Sequence, residues 1–139
     1  MSAGWETLRV GDERRLDVGP FERFHFARYA GASGDFNPLH FDESAARAAG
    51  HETVFGHGML SAGVLSQIPA AWFGPESIQR YAVRFRTPLW PGDTVSCRGR
   101  VARVYERDGR RCADLVLTAK NQKGEVLVRG EATVWQWGS

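Results

Sequence analysis

Between Gly58 and Phe73 almost every position is apolar, including Met59, Leu60, Ala62, Gly63, Val64, Ile68, Ala70, Ala71 and Trp72. A run this apolar with no continuous polar stripe predicts a buried helix, about 24 Å long. Ala62, Gly63 and Ala70 are small enough to let neighbouring backbone approach. Pro69 is expected to kink or end the regular part, and Gly74-Pro75 marks the exit. Upstream the pattern is weaker. Phe21, Phe24 and His25 share one helical face, and Phe26, Tyr29 and Ala30 share another. A helix from about Phe21 to Gly31 follows, without a decision on which face meets the core. His25 reads as a packed or surface histidine. Asp42 or Ser44 is placed to cap a short helix reaching about Ala49, with Gly50 as its stop.

After residue 78 the period changes from helix to strand. Tyr81, Val83 and Phe85 alternate with Arg80, Ala82, Arg84 and Arg86, which predicts a half-buried strand with an arginine-bearing outer face. Thr94 to Tyr105 reads as a second strand that Gly99 allows to bend. Arg111 to Asn121 reads as a third, with Ala113, Leu115, Leu117 and Ala119 on one face. Glu125 to Trp135 is the last, with Val126, Val128, Ala132 and Val134 inward. Asp108-Gly109 and Lys123-Gly124 mark the hairpins between them. Before the long helices, Val10-Gly11-Asp12 reads as a turn and Arg15 to Val18 as a short strand. One long apolar helix followed by an antiparallel meander predicts an α+β fold, whose sheet has an edge strand that needs cover or pairing.

Composition narrows the class. At 139 residues the chain is expected to be one domain, 1–139, long enough to bury a real core. Net charge is only +2, so composition does not point to nucleic acid. Tyr81 and Phe85 lie on the strand face opposite the arginines, whereas nucleic-acid binding wants the two mixed. Cys97 and Cys112 are too few for a disulfide framework, and a reduced, cytoplasmic protein is expected. No Cys or His spacing suggests a metal site. The segment Met1 to Val10 lacks the form of a signal peptide, and no apolar stretch suggests a membrane span.

The chemistry concentrates in two blocks. In Gly34-Asp35-Phe36-Asn37-Pro38-Leu39-His40, Asn-Pro favours a turn and Pro38 disfavours helical geometry at Asn37. The bend would bring the Asp35 carboxylate and the His40 imidazole together, able to share the activation of a water. Asn37 is expected to hold the loop through backbone hydrogen bonds. The second block, Gly56-His57-Gly58-Met59-Leu60, opens the apolar helix. Its first turn offers unpaired N–H donors and the positive end of the helix dipole. Gly58 lets a developing oxyanion approach the backbone. His57 is expected to orient this turn rather than act as a third catalytic group.

Together the two blocks resemble the MaoC-like family of (R)-specific enoyl-thioester hydratases and (3R)-hydroxyacyl-thioester dehydratases. The resemblance implies a hot-dog fold, an antiparallel sheet wrapped around one long central helix. It implies that Asp35 and His40 are the catalytic pair, although which is the base stays open at this point. The implied reaction is reversible hydration of trans-2-enoyl thioesters, with no metal or redox cofactor. The substrate would be an acyl-CoA or acyl-carrier-protein thioester. Arg84 and Arg86 are candidate carrier-binding residues, weighed against an ordinary solvated sheet face. A homodimer is expected, with a heterodimer of related subunits as the alternative. Ala62 and Gly63 stand where some hydratases of the family carry a serine, with Ser61 beside them. Two other readings share the fold. A hot-dog thioesterase usually carries its carboxylate on the central helix, and this helix has no Asp or Glu. An acyl-binding partner subunit would not need both Asp35 and His40.

Overall fold

The computed structural model describes residues 4–138, so four positions of the expected 1–139 domain, including the first three of the N-terminal segment, lie outside the described residues. The chain runs β1 (Glu13–Val18), α1 (Arg23–Ser33), α2 (Glu43–Ala48), α3 (Gly58–Phe73), β2 (Ile78–Phe85), β3 (Val95–Arg107), β4 (Arg110–Lys120) and β5 (Val126–Trp135). The five strands form one antiparallel sheet in the order β1-β3-β4-β5-β2, and α3 lies against it. This is the expected α+β arrangement. Among the described residues no helix is long and apolar enough to cross a membrane.

The apolar run becomes α3 with the expected bounds. Val64, Leu65, Ile68 and Trp72 are buried against Leu115, Leu117, Val128 and Val134 of the sheet. Two expectations for α3 are corrected. Met59 is 61% exposed, and Gly63, Gln67 and Ala71 share its open stripe, so the helix is covered on one side only. Pro69 is buried inside the helix and does not end it, because the helix continues to Phe73. Burial of its ring offsets the missing N–H.

Gly99 does something other than bend β3. The register shift in that strand falls between Val101 and Arg103. A Cβ on Gly99 would sit 2.5 Å from Cγ2 of Ile68, so the glycine lets Ile68 of α3 pack directly on the β3 backbone. The Asp108-Gly109 hairpin behaves as expected. Both residues have positive φ, 52° and 75°, the geometry of a type I′ turn matched to strand twist.

Of the two candidate faces of α1, the core takes Phe26 and Ala30, at 0% and 1% exposure, while Phe24 is 56% exposed. His25 has a defined task. Its Nδ1 accepts the Glu22 N–H at 2.9 Å, closing a capping box at the start of α1. The helix ends at Gly34, which adopts φ 77° and donates its N–H to the Ala30 carbonyl. That left-handed stop turns the chain directly into Asp35. Asp42 rather than Ser44 caps α2, accepting from Ser44 and Ala45 N–H. Trp72 and Phe73 pack with Trp5 at the far end of α3, about 20 Å from Gly58.

Candidate active site

The loop after α1 is held by a ladder of short side-chain bonds. Ser33 Oγ accepts the Asp35 N–H (3.1 Å), Asp35 Oδ1 accepts the Asn37 N–H (3.2 Å), and Asn37 Oδ1 accepts the Leu39 N–H (3.1 Å). Each is the turn-forming habit of a small polar side chain. Pro38 then opens a 3₁₀ turn over Pro38–His40, where its missing N–H costs nothing. Asn37 therefore braces the bend, as its sequence position suggests.

The turn delivers His40 into the protein, 8% exposed, with Nδ1 2.7 Å from the Phe55 carbonyl oxygen. His57 is 1% exposed and caps α3, with Nε2 3.0 Å from the Asp35 carbonyl oxygen. A carbonyl can only accept, so Nδ1 of His40 and Nε2 of His57 carry the protons. The unprotonated nitrogen of His40 is then Nε2, free to take a proton. The two imidazoles stack with centroids 3.8 Å apart and 27° between planes, and Tyr29 covers His57 at 4.7 Å. Asp35, His40 and His57 each place one polar atom within 4.8 Å of the others. One water making two hydrogen bonds spans about 4.6 Å, so the gap suits a bridging water.

Burial holds the His57 imidazole below its ordinary pKa, as does the neighbouring His40. The bond to the Asp35 carbonyl and the Asp35 charge oppose this shift. His57 Nδ1 is buried without a hydrogen-bond partner. The folded state thus binds fewer protons here than the unfolded state. The stability His57 contributes is complete above about pH 6.5 and is lost as pH falls below that value. Unfolding free energy measured from pH 7.5 to 5 should decline, and His57→Asn should flatten the slope in this window. Glu13 and Glu43, both held below the usual carboxylate range by hydrogen bonds, act only at lower pH. An unchanged slope in the variant would remove His57 from this account.

Beside this cluster, the first turn of α3 borders a cavity of about 260 Å³. Its lining includes Phe55, Gly58, Ser61, Phe85, Leu89, Leu127 and Val128, with Arg86 and Thr87 near the β2 end. The N–H groups of Gly58 and Met59 make no backbone hydrogen bond to the segment before the helix, whereas Leu60 and Ser61 both donate to the His57 carbonyl. Gly58 is open to solvent, and a Cβ there would lie 3.2 Å from the Phe85 ring. Of the two carrier candidates, Arg86 lines the cavity and Arg84 does not. Arg84 faces the opposite side of the sheet, directly across from Arg129.

Several contributors escape the sequence reading. Phe55 orients His40 through a main-chain oxygen, which leaves no trace in residue type. Met59 offers a backbone donor, equally silent. Leu127 falls out of phase with the inward positions of β5, yet it lines the cavity. Phe85, expected to be covered, is 53% exposed because the cavity lies beside it.

A family model described as "MaoC like domain" matches residues 10–123. The chain belongs to the MaoC-like domain family. Among MaoC-like relatives it is 33% identical over 135 residues to the (R)-specific enoyl-CoA hydratase of Aeromonas caviae, covering 93% of this chain and 96% of the relative. It is also 33% identical over 129 residues to the mitochondrial 3-hydroxyacyl-[acyl-carrier-protein] dehydratase of Arabidopsis thaliana, covering 91% and 76%. The solved structure of the A. caviae (R)-hydratase involved in PHA biosynthesis superposes with a TM-score of 0.83 at 30% identity, covering 95% of this chain and 99% of that one. The fold is therefore the hot-dog of these MaoC-like hydratases, and the relatives named here are hydro-lyases.

Proposed function

We propose that this MaoC-like chain reversibly adds water across the double bond of a trans-2-enoyl thioester to give a (3R)-3-hydroxyacyl thioester. The observation that carries the reading is that Asp35 and His40 each bring a polar atom within 4.8 Å of the other, within the span of one bridging water, next to an α3 tip that borders a cavity. His40 Nε2 takes one proton from the bound water as its oxygen bonds to the β-carbon. The displaced π electrons move to the thioester oxygen. The free N–H groups of Gly58 and Met59 hold that oxygen, a kind of contact worth roughly 3–4 kcal/mol to a transition state. The proton on His40 then passes to the α-carbon, and the imidazole is neutral again. Asp35 accepts a hydrogen bond from the water's other hydrogen, which stays on the new hydroxyl, and steadies the transient imidazolium. Dehydration is the same sequence reversed.

His57 supports this cycle without touching the reacting atoms. It stacks on His40 and ties the Asp35 main chain to the start of α3, and its neutral state avoids repelling the imidazolium. The acyl chain is assigned to the apolar cavity, with Arg86 at the carrier side. No metal or redox cofactor enters the scheme, and the protein is read as cytoplasmic and dimeric, with a second copy or a related subunit. The test is loss of the conjugated thioester absorbance of crotonyl-CoA on adding the wild-type protein. Release of free thiol in place of hydration would overturn the reading in favour of a thioesterase.

A further inference from the structure

The strand registers bring four arginines into one line across the outer face of the sheet. Arg15 of β1 lies opposite Arg98 of β3, Arg98 opposite Thr118 of β4, Thr118 opposite Arg129 of β5, and Arg129 opposite Arg84 of β2. All four arginines are exposed. Like charges directly across a strand pair destabilise a sheet, and this row contains two such pairs. Glu13 offsets one of them, bonding Arg98 and approaching Arg15 at 3.8 Å. Among the described residues, Arg84 and Arg129 have no carboxylate within 4.0 Å. Arg15, Arg98, Thr118 and Arg129 of the row also line a polar cleft of about 250 Å³, which Lys120 and Ser96 join, with Arg84 outside it.

We infer that this row is a docking surface for an acidic helix of a partner protein, and that the partner is the acidic carrier protein bearing the thioester. Five strands span about 19 Å at ordinary strand spacing, the length of a helix of about 13 residues. Carboxylates three or four residues apart on such a helix recur every 4.5–6 Å or so, close to the spacing of the row. The flanking positions carry mixed charge, Asp17 and Lys120 on one side and Glu13, Arg100 and Glu131 on the other. Their acidic members break up the positive field that a continuous polyanion such as duplex nucleic acid or an anionic membrane would need, whereas a single acidic ridge meets the row itself. No aromatic residue stands in the row to stack on bases. The position also fits delivery. The next cross-strand pair after Arg84 and Arg129 is Phe85 and Val128, and both line the cavity from the other face. Arg86, at the cavity, follows Arg84 by about 7 Å of extended chain.

The kinetic part of the test rests on the proposed hydratase activity, whereas the binding part does not. Fluorescently labelled holo acyl carrier protein is titrated with the full chain at low and high salt and followed by anisotropy. Wild type should bind, more weakly at high salt, and Arg84→Glu/Arg129→Glu should weaken binding by at least about tenfold. Arg28→Glu/Arg107→Glu, which changes exposed charges elsewhere, serves as the reference. With crotonyl attached to carrier protein or to CoA, the ratio of the two kcat/KM values should fall about tenfold in the row variant. Arg84→Gln/Arg129→Gln guards against misfolding, because relief of repulsion should leave its Tm equal or higher while binding still weakens. The inference is overturned if wild type does not bind the carrier, if the reference variant loses as much as the row variant, or if duplex DNA or phosphatidylglycerol vesicles bind in preference. If wild type binds the carrier but hydrates neither thioester, the proposed reaction fails and the docking surface stands.

Discussion

Asp35→Asn and His40→Ala should each lower kcat/KM for crotonyl-CoA by about 10²–10⁴-fold, the usual contribution of a positioned acid or base and equal to about 3–5 kcal/mol of barrier. The fall should appear mainly in kcat. Neither side chain lines the cavity assigned to the acyl chain, so ground-state binding has little to lose. The double variant should be scarcely slower than the worse single one, because two groups that share one water act as a unit. Asp35→Asn keeps the His40 base, with Nδ1 still tied to the Phe55 carbonyl, whereas His40→Ala removes it. Additive losses, or losses below about tenfold, would show that the water is activated elsewhere.

What was legible in the sequence divides along physical lines. Local features came through. The bounds of α3 follow from an apolar run fenced by glycines, and the β3-β4 turn follows from Asp108-Gly109, which accept positive φ. The nearness of Asp35 and His40 belongs to the same class, since the six-residue stretch from Asp35 to His40, with Asn-Pro at its centre, has few ways to fold. Features that depend on packing did not come through. Phe24 and Phe26 are equally apolar, and only the docking of α1 decides that Phe26 is the buried one. Met59 belongs to an apolar run but lies on the stripe that the sheet does not reach. The stack of His57 on His40 is invisible because it needs the start of α3 to be carried back against the loop. The arginine row has the same origin. Arg84 alone reads as a carrier candidate, and only the register of all five strands aligns it with Arg129, Arg98 and Arg15.

Phe26→Ala is expected to have the largest effect on stability. Phe26 has no exposed surface, and truncating a buried phenylalanine costs about 3–5 kcal/mol through lost burial and the cavity left behind. For a chain of this size that corresponds to a fall in Tm of roughly 10–20 °C. The site should feel the change even where the variant stays folded. The ring fills the space beside Gly56, where a Cβ would come within 2.9 Å of Phe26 Cε1. Gly56 is pinned on its other side by its N–H bond to the Leu89 carbonyl at 2.7 Å. This short segment carries both the Phe55 carbonyl that orients His40 and the His57 ring that stacks on it. With Phe26 gone, the segment loses its inner support, and both constraints on His40 loosen together. Measured well below the new Tm, kcat should therefore drop while KM changes little. A Tm loss below about 5 °C would mean that the surroundings collapse to fill the void. An unchanged kcat would mean that the bond from the Gly56 N–H to the Leu89 carbonyl alone keeps this segment, and with it His40, in place.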